Sequence, residues 1–523
     1  MRDTGPRVIP DAAVFKDVVI VGNGPSGIGV SHMLAGHRPY LRGSQHPDEM
    51  LSARLAGVMA GAGAVAGAGA AQPVPLLRQD LRLLSQGLEG RAPHPLSLLM
   101  DALSHPGADQ GLELPSLLQW RHHPELRVDH VVLGTSPPGG AWQTMIGNVL
   151  TISLASWMEL PGLDFRTWEK TVGSLHATEH ANNNNNNNNI NNINNNNNGR
   201  ARAASVAQYY ADYVRLRGLK KFFHCGTKVL NIEPLENAAC QCTENASSGW
   251  CGRKQCFARA LWLVEGFDQV NRQPFCYVSQ KVVIATGCTS KPNRLNIPGE
   301  LTNNNRIVHD FGSVEELVGR IRAEADRDQT GVDPILIVGA GLSAADAVLT
   351  ARFHSVPVLH VFRSRTIPID RQLPEIMYPE YHKVHQMMED GGKYYPLYEA
   401  LPEHKVLSLA GFSVDQKVLL EGPNGQLSAQ KVSGVAILIG ASPNLSFLKT
   451  VCSSDGTGLG ANPDLPIDCR SNPILIDLWS HKVVRVQHPG LYALGPLTGD
   501  NFVRFILGGS LAVASGVLND KQC

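Results

Sequence analysis

The chain carries no charge bias, with 46 basic residues against 46 acidic ones. That balance leaves no broad cationic field for nucleic acid or an anionic membrane. The N-terminus, MRDTGPRVIPDAAVFKDVVIVG, lacks an apolar stretch of signal-peptide type. The ten cysteines are scattered, without the density of a disulfide scaffold. Both absences point to a reduced, cytoplasmic chain. Between Leu55 and Leu77 there is no charge, yet this stretch is Gly and Ala with little Leu or Ile. It is expected to be a flexible insertion and not a membrane span. The sequon Asn245, Ala246, Ser247 has meaning only in a secreted protein. No Ser-His-Asp arrangement and no paired carboxylates stand out.

What the 523 residues do contain is a repeated pattern of short apolar strand followed by glycine. Residues 18–29 read VVIVGNGPSGIG, with the spacing Gly22-x-Gly24-x-x-Gly27. In a dinucleotide fingerprint the first Gly turns, the second admits a pyrophosphate and the third lets helix pack on strand. The helix N-terminus then offers free N–H groups to the phosphates. The acidic residue expected about 20 positions on, for a ribose hydroxyl, is missing from GHRPYLRGSQHP. Further strand–glycine units follow at 130–142 (HVVLGTSPPGGAW), 281–287 (KVVIATG), 334–348 (PILIVGAGLSAADAV), 434–444 (GVAILIGASPN) and 490–502 (GLYALGPLTGDNF). Alternating buried strands and helices predict an α/β fold with parallel sheets, and the two distant glycine loops predict two nucleotide domains.

The second loop is Gly339-x-Gly341-x-x-Ala344, with Ser343 inside it. The next strand, PVLHVF, follows at the spacing of a βαβ unit and ends in Arg363, Ser364, Arg365. An NAD binder carries Asp or Glu there. A guanidinium instead holds a 2′-phosphate through two parallel hydrogen bonds, so the loop reads as a site for NADPH.

The two loops, the ATG strand, GGAW and GLYALGP together resemble the two-dinucleotide-domain flavoproteins of the flavin-containing monooxygenase kind. VIVGNGPSGI, LSQGLEGR, LGTSPPGGAW, SWMELPGL, GAGLSAADAV, LPEIMYPEYHKVHQMM and GPLTGDNFVRFILGGSLAVAS narrow the resemblance to the oxidative stress-induced growth inhibitor family. The resemblance implies two Rossmann-like domains, with an NADPH domain (301–430) inserted into a discontinuous FAD domain (14–300 and 431–523). Residues from about 35 to 127 would be an insertion before the second strand. FAD would contact Gly22, Gly24, Pro25, Ser26, Gly27, Gly139, Gly140, Trp142, Gly495 and Asp500. NADPH would contact Gly339, Gly341, Ser343, Ala344, Arg363 and Arg365. The strand before GGAW ends Leu133, Gly134, Thr135, again without the family's ribose carboxylate. Asn501, Arg504 and Ser153 are the candidates at the flavin edge. The fingerprint that leads to a His in flavin monooxygenases is reduced to IVHDFGS.

The activity implied is hydride transfer from NADPH to FAD, then oxygen transfer from O₂ to a small-molecule or protein substrate. Growth restraint, an oxidative-stress response and a role in late cell division are implied by family alone. Against it stands a regulator that keeps the fold as an interaction scaffold, with YPEYHKVHQMM as a protein-partner surface. A flavin disulfide reductase using Cys251 and Cys256 is a further alternative, but that pair sits in a hydrophilic insertion and not beside the first loop; a zinc knuckle adding Cys240 and Cys242 would have the spacing C-x-C-x8-C-x4-C, which is not a standard one, and no metal is expected. His382 and His385 read as an amphipathic helix surface. The Asn-rich tract at 182–198 is expected to be disordered.

Overall fold

The computed structural model describes residues 12–66, 73–145, 149–171, 199–235, 261–302, 304–329, 331–364, 374–448 and 450–519. The Asn tract, the four cysteines at 240, 242, 251 and 256, the sequon and Arg365 lie outside the described residues. The chain divides into two compact units. The first takes its described residues from Met1–Gln143, Gly147–Cys288 and Pro443–Cys523, the second from Thr144–Ile146 and Thr289–Ser442.

The first unit centres on strands β1 (Val14–Val21), β2 (His130–Gly134), β3 (Phe223–Cys225), β4 (Thr227–Pro234), β5 (Trp262–Asp268) and β6 (Gln273–Ile284). Their order is β3-β2-β1-β6-β5-β4. Strand β1 runs parallel to both β2 and β6, while β5 pairs antiparallel with β6 and β4. The VVIV run explains its central place. Val18 and Ile20 enter one core, Val19 and Val21 the other, so both faces of the strand are buried. Helix α1 (Pro25–Leu34) follows β1 directly.

The chain between α1 and β2 builds a small antiparallel sheet, His37–Leu41 between Val74–Pro75 and Leu118–His122. It also holds helices α2 (Glu49–Ala66) and α3 (Pro95–Ser104). The expected flexible Gly/Ala insertion is therefore corrected over 55–66, which is helical. Leu51 and Leu55, one turn apart, are fully buried and anchor it, while a Cβ added at Gly57 or Gly61 would meet nothing within 4 Å.

The second unit has a five-stranded, wholly parallel sheet: β7 (Ile307–Val308), β8 (Ile335–Val338), β9 (Val358–Phe362), β10 (Tyr398–Pro402) and β11 (Gly434–Ile437), in the order β7-β11-β8-β9-β10. The chain then returns to the first unit as β12 (Leu491–Ala493), parallel to β6. Helices α4 (Ala203–Leu216), α5 (Phe311–Asp328), α6 (Leu342–Phe353), α7 (Pro379–Glu389) and α8 (Ile506–Asn519) complete the described long helices. A Cβ on Gly508 would lie 2.2 Å from Ser97 Cα, so α3 and α8 approach backbone to backbone.

The units divide at other points than 300/301 and 430/431. Lys291–Pro292 pairs with Ala441–Ser442, and β11 sits inside the second sheet. Glu300 also belongs there, accepting from the backbone N–H groups of Leu295 and Asn296 and facing His309 Nε2 at 3.0 Å. Among the described residues, no helix is long and apolar enough to cross a membrane.

Burial leaves several histidines neutral. His130 and His360 are lowered to about 4 and His481 to about 3, in each case first by desolvation. Unfolded histidine titrates near 6.5, so between these values the unfolded chain binds more protons than the fold. Stability is full above pH 6.5 and falls as the pH drops toward 4. Asp500, raised to about 7 by burial, acts oppositely, losing stability as pH rises through that value. Glu159, raised to about 8 by burial, acts with it. Three histidines outweigh two carboxyls, and the expected result is a loss of about 3 kcal/mol between pH 6.5 and 4.5, at roughly 1.4 kcal/mol per pH unit for the net difference of one group. Urea unfolding at the two pH values measures it, and a flat profile would show that these rings are protonated in the fold.

Candidate functional site

The first site forms where β1 ends. Gly22 turns the chain at φ +115°, with a notional Cβ only 2.2 Å from Ala285 O. A Cβ on Gly27 would lie 2.0 Å from Gly22 O, so α1 rests directly on the strand end. Gly24 differs. A Cβ there would meet nothing nearer than 3.9 Å, where Gly139 O and Gly140 Cα stand. It is the N-cap of α1, Pro25 follows at the first turn, and no side chain caps the helix. The N-terminal N–H groups of α1 are thus left without a side-chain cap beside the GGAW turn, the kind of helix start that favours an anion by its dipole.

The GGAW turn closes over this loop. Gly139 N donates to Asn23 O at 2.9 Å, and Trp142 is half-buried with its ring 6.4 Å from that of Tyr210. Gly495 lies on the other side, where a Cβ would be 2.4 Å from Ser26 Oγ. The missing ribose carboxylate has a steric reason. Asn23 Nδ2 donates to Ser136 O at 2.5 Å and Pro137 O at 3.2 Å, and its amide fills the place of a side chain at Gly134, 2.1 Å from the notional Cβ. No carboxylate fits at the end of β2 while Asn23 stands there.

Asp500 is buried and accepts from Ser97 Oγ on α3 at 2.8 Å, while its Oδ1 has no partner among the described residues. Arg504 is enclosed too. It is ion-paired with Asp101 and with Asp109 at 2.9 Å, and lies 4.6 Å over the Trp157 ring. It therefore offers no unpaired cation at a flavin edge. Asn501 is exposed and donates to Cys469 O at 3.0 Å. Ser153 is buried, and its carbonyl accepts from Thr151 Oγ1 at 2.6 Å. The structure does not bring these three together around a common hydrogen bond.

The second site repeats the first loop's logic in the second unit. Gly339 turns at φ +133° against Leu438 O, and Ala344 is buried beneath it. Gly341 caps α6 without a side-chain hydrogen bond, and nothing lies within 4 Å of its notional Cβ. Ser343 is exposed on the first turn of α6 and Arg363 is exposed at the end of β9. His360 was not singled out from sequence, although a lone His in the apolar strand PVLHVF is a visible anomaly. Neutral by burial, its Nε2–H donates to Gly339 O at 2.7 Å and its Nδ1 accepts from Tyr398 Oη at 2.9 Å. It holds the glycine turn in place.

Helix α7, from the YPEYHKVHQMM block, packs on α6. Tyr381, Val384, Met387 and Met388 are buried, and Tyr381 Oη donates to Asp346 at 3.0 Å. One face of the block is core of the second unit, while Pro379, Lys383 and Gln386 are exposed. In IVHDFGS, Asp310 caps α5 through Ser313 N, and His309 faces Glu300. Among the described residues no group of three or more His, Cys, Asp or Glu is placed to hold a metal ion.

Both loops fit a dinucleotide pyrophosphate, since each presents a helix start with a glycine N-cap and no side-chain cap, with open space at Gly341 and contacts no closer than 3.9 Å at Gly24. Residues 263–498 match the profile of the pyridine nucleotide-disulphide oxidoreductase family. The chain is 38% identical to oxidative stress-induced growth inhibitor 2 of Homo sapiens, over 97% of this chain and 94% of that one. It is 39% identical to oxidative stress-induced growth inhibitor 1 of Homo sapiens, over 96% and 95% respectively. Among solved structures, the bacillithiol disulfide reductase of Staphylococcus aureus aligns over 97% of this chain and 99% of that one, with a TM-score of 0.53 and 11% identity. That is a likeness of fold.

Proposed function

The chain belongs to the oxidative stress-induced growth inhibitor family and has the two-domain fold in which FAD and a nicotinamide nucleotide bind, and from that premise we propose an NADPH-dependent flavin monooxygenase that serves growth regulation. The observation that carries it is the pair of glycine helix caps without a side-chain hydrogen bond, Gly24 on α1 and Gly341 on α6. When bound, the two cofactors supply hydride transfer and oxygen activation; the protein supplies binding, orientation and exclusion of water.

Around FAD, the N–H groups of α1 would hold the pyrophosphate, Gly140 lets the GGAW turn lie against Gly24, where a Cβ would be 2.9 Å from the Gly24 Cα, and Trp142 would pack at the cofactor's side. Around NADPH, α6 holds the pyrophosphate and exposed Arg363 pairs with the 2′-phosphate. The His360 hydrogen bond fixes the loop in which both events occur. The sequence places no Cys-x-x-x-x-Cys pair beside the first loop, which favours oxygen over disulfide as the acceptor. The substrate class is a nucleophilic small molecule or protein side chain.

The test is the visible spectrum of the purified protein, with FAD added if needed, followed by NADPH without oxygen. An oxidised-flavin band that bleaches with NADPH at least tenfold faster than with NADH is expected, and Arg363→Glu should erase that preference. Readmitted oxygen should then be consumed with little free peroxide. A second reading, a catalytically silent scaffold, is favoured by the Asn23–Gly134 packing that excludes the ribose carboxylate. It leads if no flavin band forms even after reconstitution.

A further inference from the structure

We infer that Asn23 takes the place of the missing ribose carboxylate, its Oδ1 accepting from the adenosine 2′-hydroxyl when FAD occupies the first site. The inference rests on the flavoprotein reading above and adds to it the residue that recognises the ribose. In a dinucleotide fold the pyrophosphate lies on the first helix, and an acceptor at the end of the second strand reads the ribose. Here that strand ends at Gly134, which brings no side chain. Gly22 N donates to Leu133 O at 2.8 Å, so the first loop lies alongside the strand end. Asn23, one residue before the Gly24 cap, fills the gap. A Cβ on Gly134 would lie 2.1 Å from Asn23 Cγ and 2.4 Å from both its Nδ2 and its Oδ1. An amide therefore stands where the side chain of the usual acceptor would begin.

Hydrogen bonds orient that amide. Asn23 Nδ2 donates to Ser136 O at 2.5 Å and to Pro137 O at 3.2 Å, with Cys225 Sγ at 3.8 Å. Only the N–H side of an amide can face two carbonyl oxygens, so these partners assign which end is nitrogen. Asn23 O accepts from Gly139 N at 2.9 Å, so one turn holds both the backbone and the side chain. The remaining polar atom is Oδ1. Asn23 is only 3% exposed, yet Oδ1 accepts from none of the described residues. A buried acceptor without a donor is costly, and a ribose hydroxyl supplies the donor.

Clamping the turn uses Nδ2 alone and leaves Oδ1 unexplained. An aspartate at 23 would set a second oxygen against Ser136 O and Pro137 O, so an amide is the acceptor this loop admits. The packing that keeps a carboxylate off Gly134 thus supplies its replacement. Being uncharged, the amide makes a weaker bond than a carboxylate does.

The test titrates the full-length apoprotein with FAD and with its adenosine-2′-deoxy analogue, following flavin fluorescence, with a thermal melt of each protein. Wild type is expected to bind FAD roughly three- to tenfold tighter than the analogue, the range of one uncharged hydrogen bond. In Asn23→Ala the ratio should fall to about one, because the acceptor is gone. Asn23→Ser keeps a hydroxyl donor for the turn and should give the same ratio, which covers the case in which the alanine variant does not fold. A role in clamping alone would weaken both ligands equally and leave the ratio standing in the variants, which would overturn the inference. A ratio of one in a wild type that binds FAD would overturn it while sparing the flavoprotein reading. A wild type that binds neither flavin would overturn both.

Discussion

Gly341→Asp is expected to weaken nicotinamide nucleotide binding at least 100-fold while leaving the melting temperature unchanged or slightly higher. Gly341 has extended backbone angles, φ −88° and ψ 179°, that any residue adopts. Nothing stands within 4 Å of its notional Cβ. Aspartate is a good N-cap, worth a few tenths of a kcal/mol over glycine, and its charge favours the helix dipole. The fold therefore accepts the change. The nucleotide does not, because the carboxylate takes the N–H groups that the pyrophosphate needs and repels its charge. A 100-fold loss corresponds to about 2.7 kcal/mol. Titration with NADPH and a thermal melt on the same sample separate the two effects. The contrast is Gly339, whose Cβ would meet Leu438 O at 2.2 Å, so substitution there costs the fold itself. Unchanged NADPH affinity in Gly341→Asp would make the second loop a packing device, and the Arg363 assignment would fall with it.

The parts legible in the sequence were those set by short-range pattern. A strand, a turn and a helix start lie within a dozen residues of each other, so Gly22 to Gly27 and Gly339 to Ala344 declare their geometry. Strands buried on both faces, such as VVIV and ILIV, declare a parallel sheet by lacking alternation. The parts not legible depend on partners far along the chain. Asp500 and Arg504 looked available because Ser97, Asp101 and Asp109 lie in the stretch read as an insertion. The Gly/Ala run looked flexible because glycine disfavours helix, yet Leu51 and Leu55 find a core and override propensity. The absent ribose carboxylate was visible, but its cause was not, since Asn23 reaches Gly134 only through the loop fold.

Whether the first loop still holds a nucleotide is decided by two alanines placed three residues apart. Gly27→Ala is expected to unfold the first unit, because its Cβ would lie 2.0 Å from Gly22 O, a backbone atom that cannot step aside. Overpacking of that kind costs about 3 kcal/mol or more. Gly24→Ala has room, its nearest neighbours being 3.9 Å away, so it should lose only about 1 kcal/mol through the poorer N-cap. Yet the methyl group projects into the space where the pyrophosphate must approach, and the flavin-to-protein ratio should drop at least tenfold. Absorbance at the flavin band against protein, with circular dichroism for the fold, reads both. Helix packing alone requires glycine at 27 and makes no demand at 24. If Gly24→Ala keeps its flavin, or binds none because the wild type binds none, the glycine at 24 serves no cofactor and the scaffold reading gains. If flavin is lost from a folded Gly24→Ala, glycine at 24 serves a ligand, because within the protein itself the methyl group would meet only ordinary contacts at 3.9 Å.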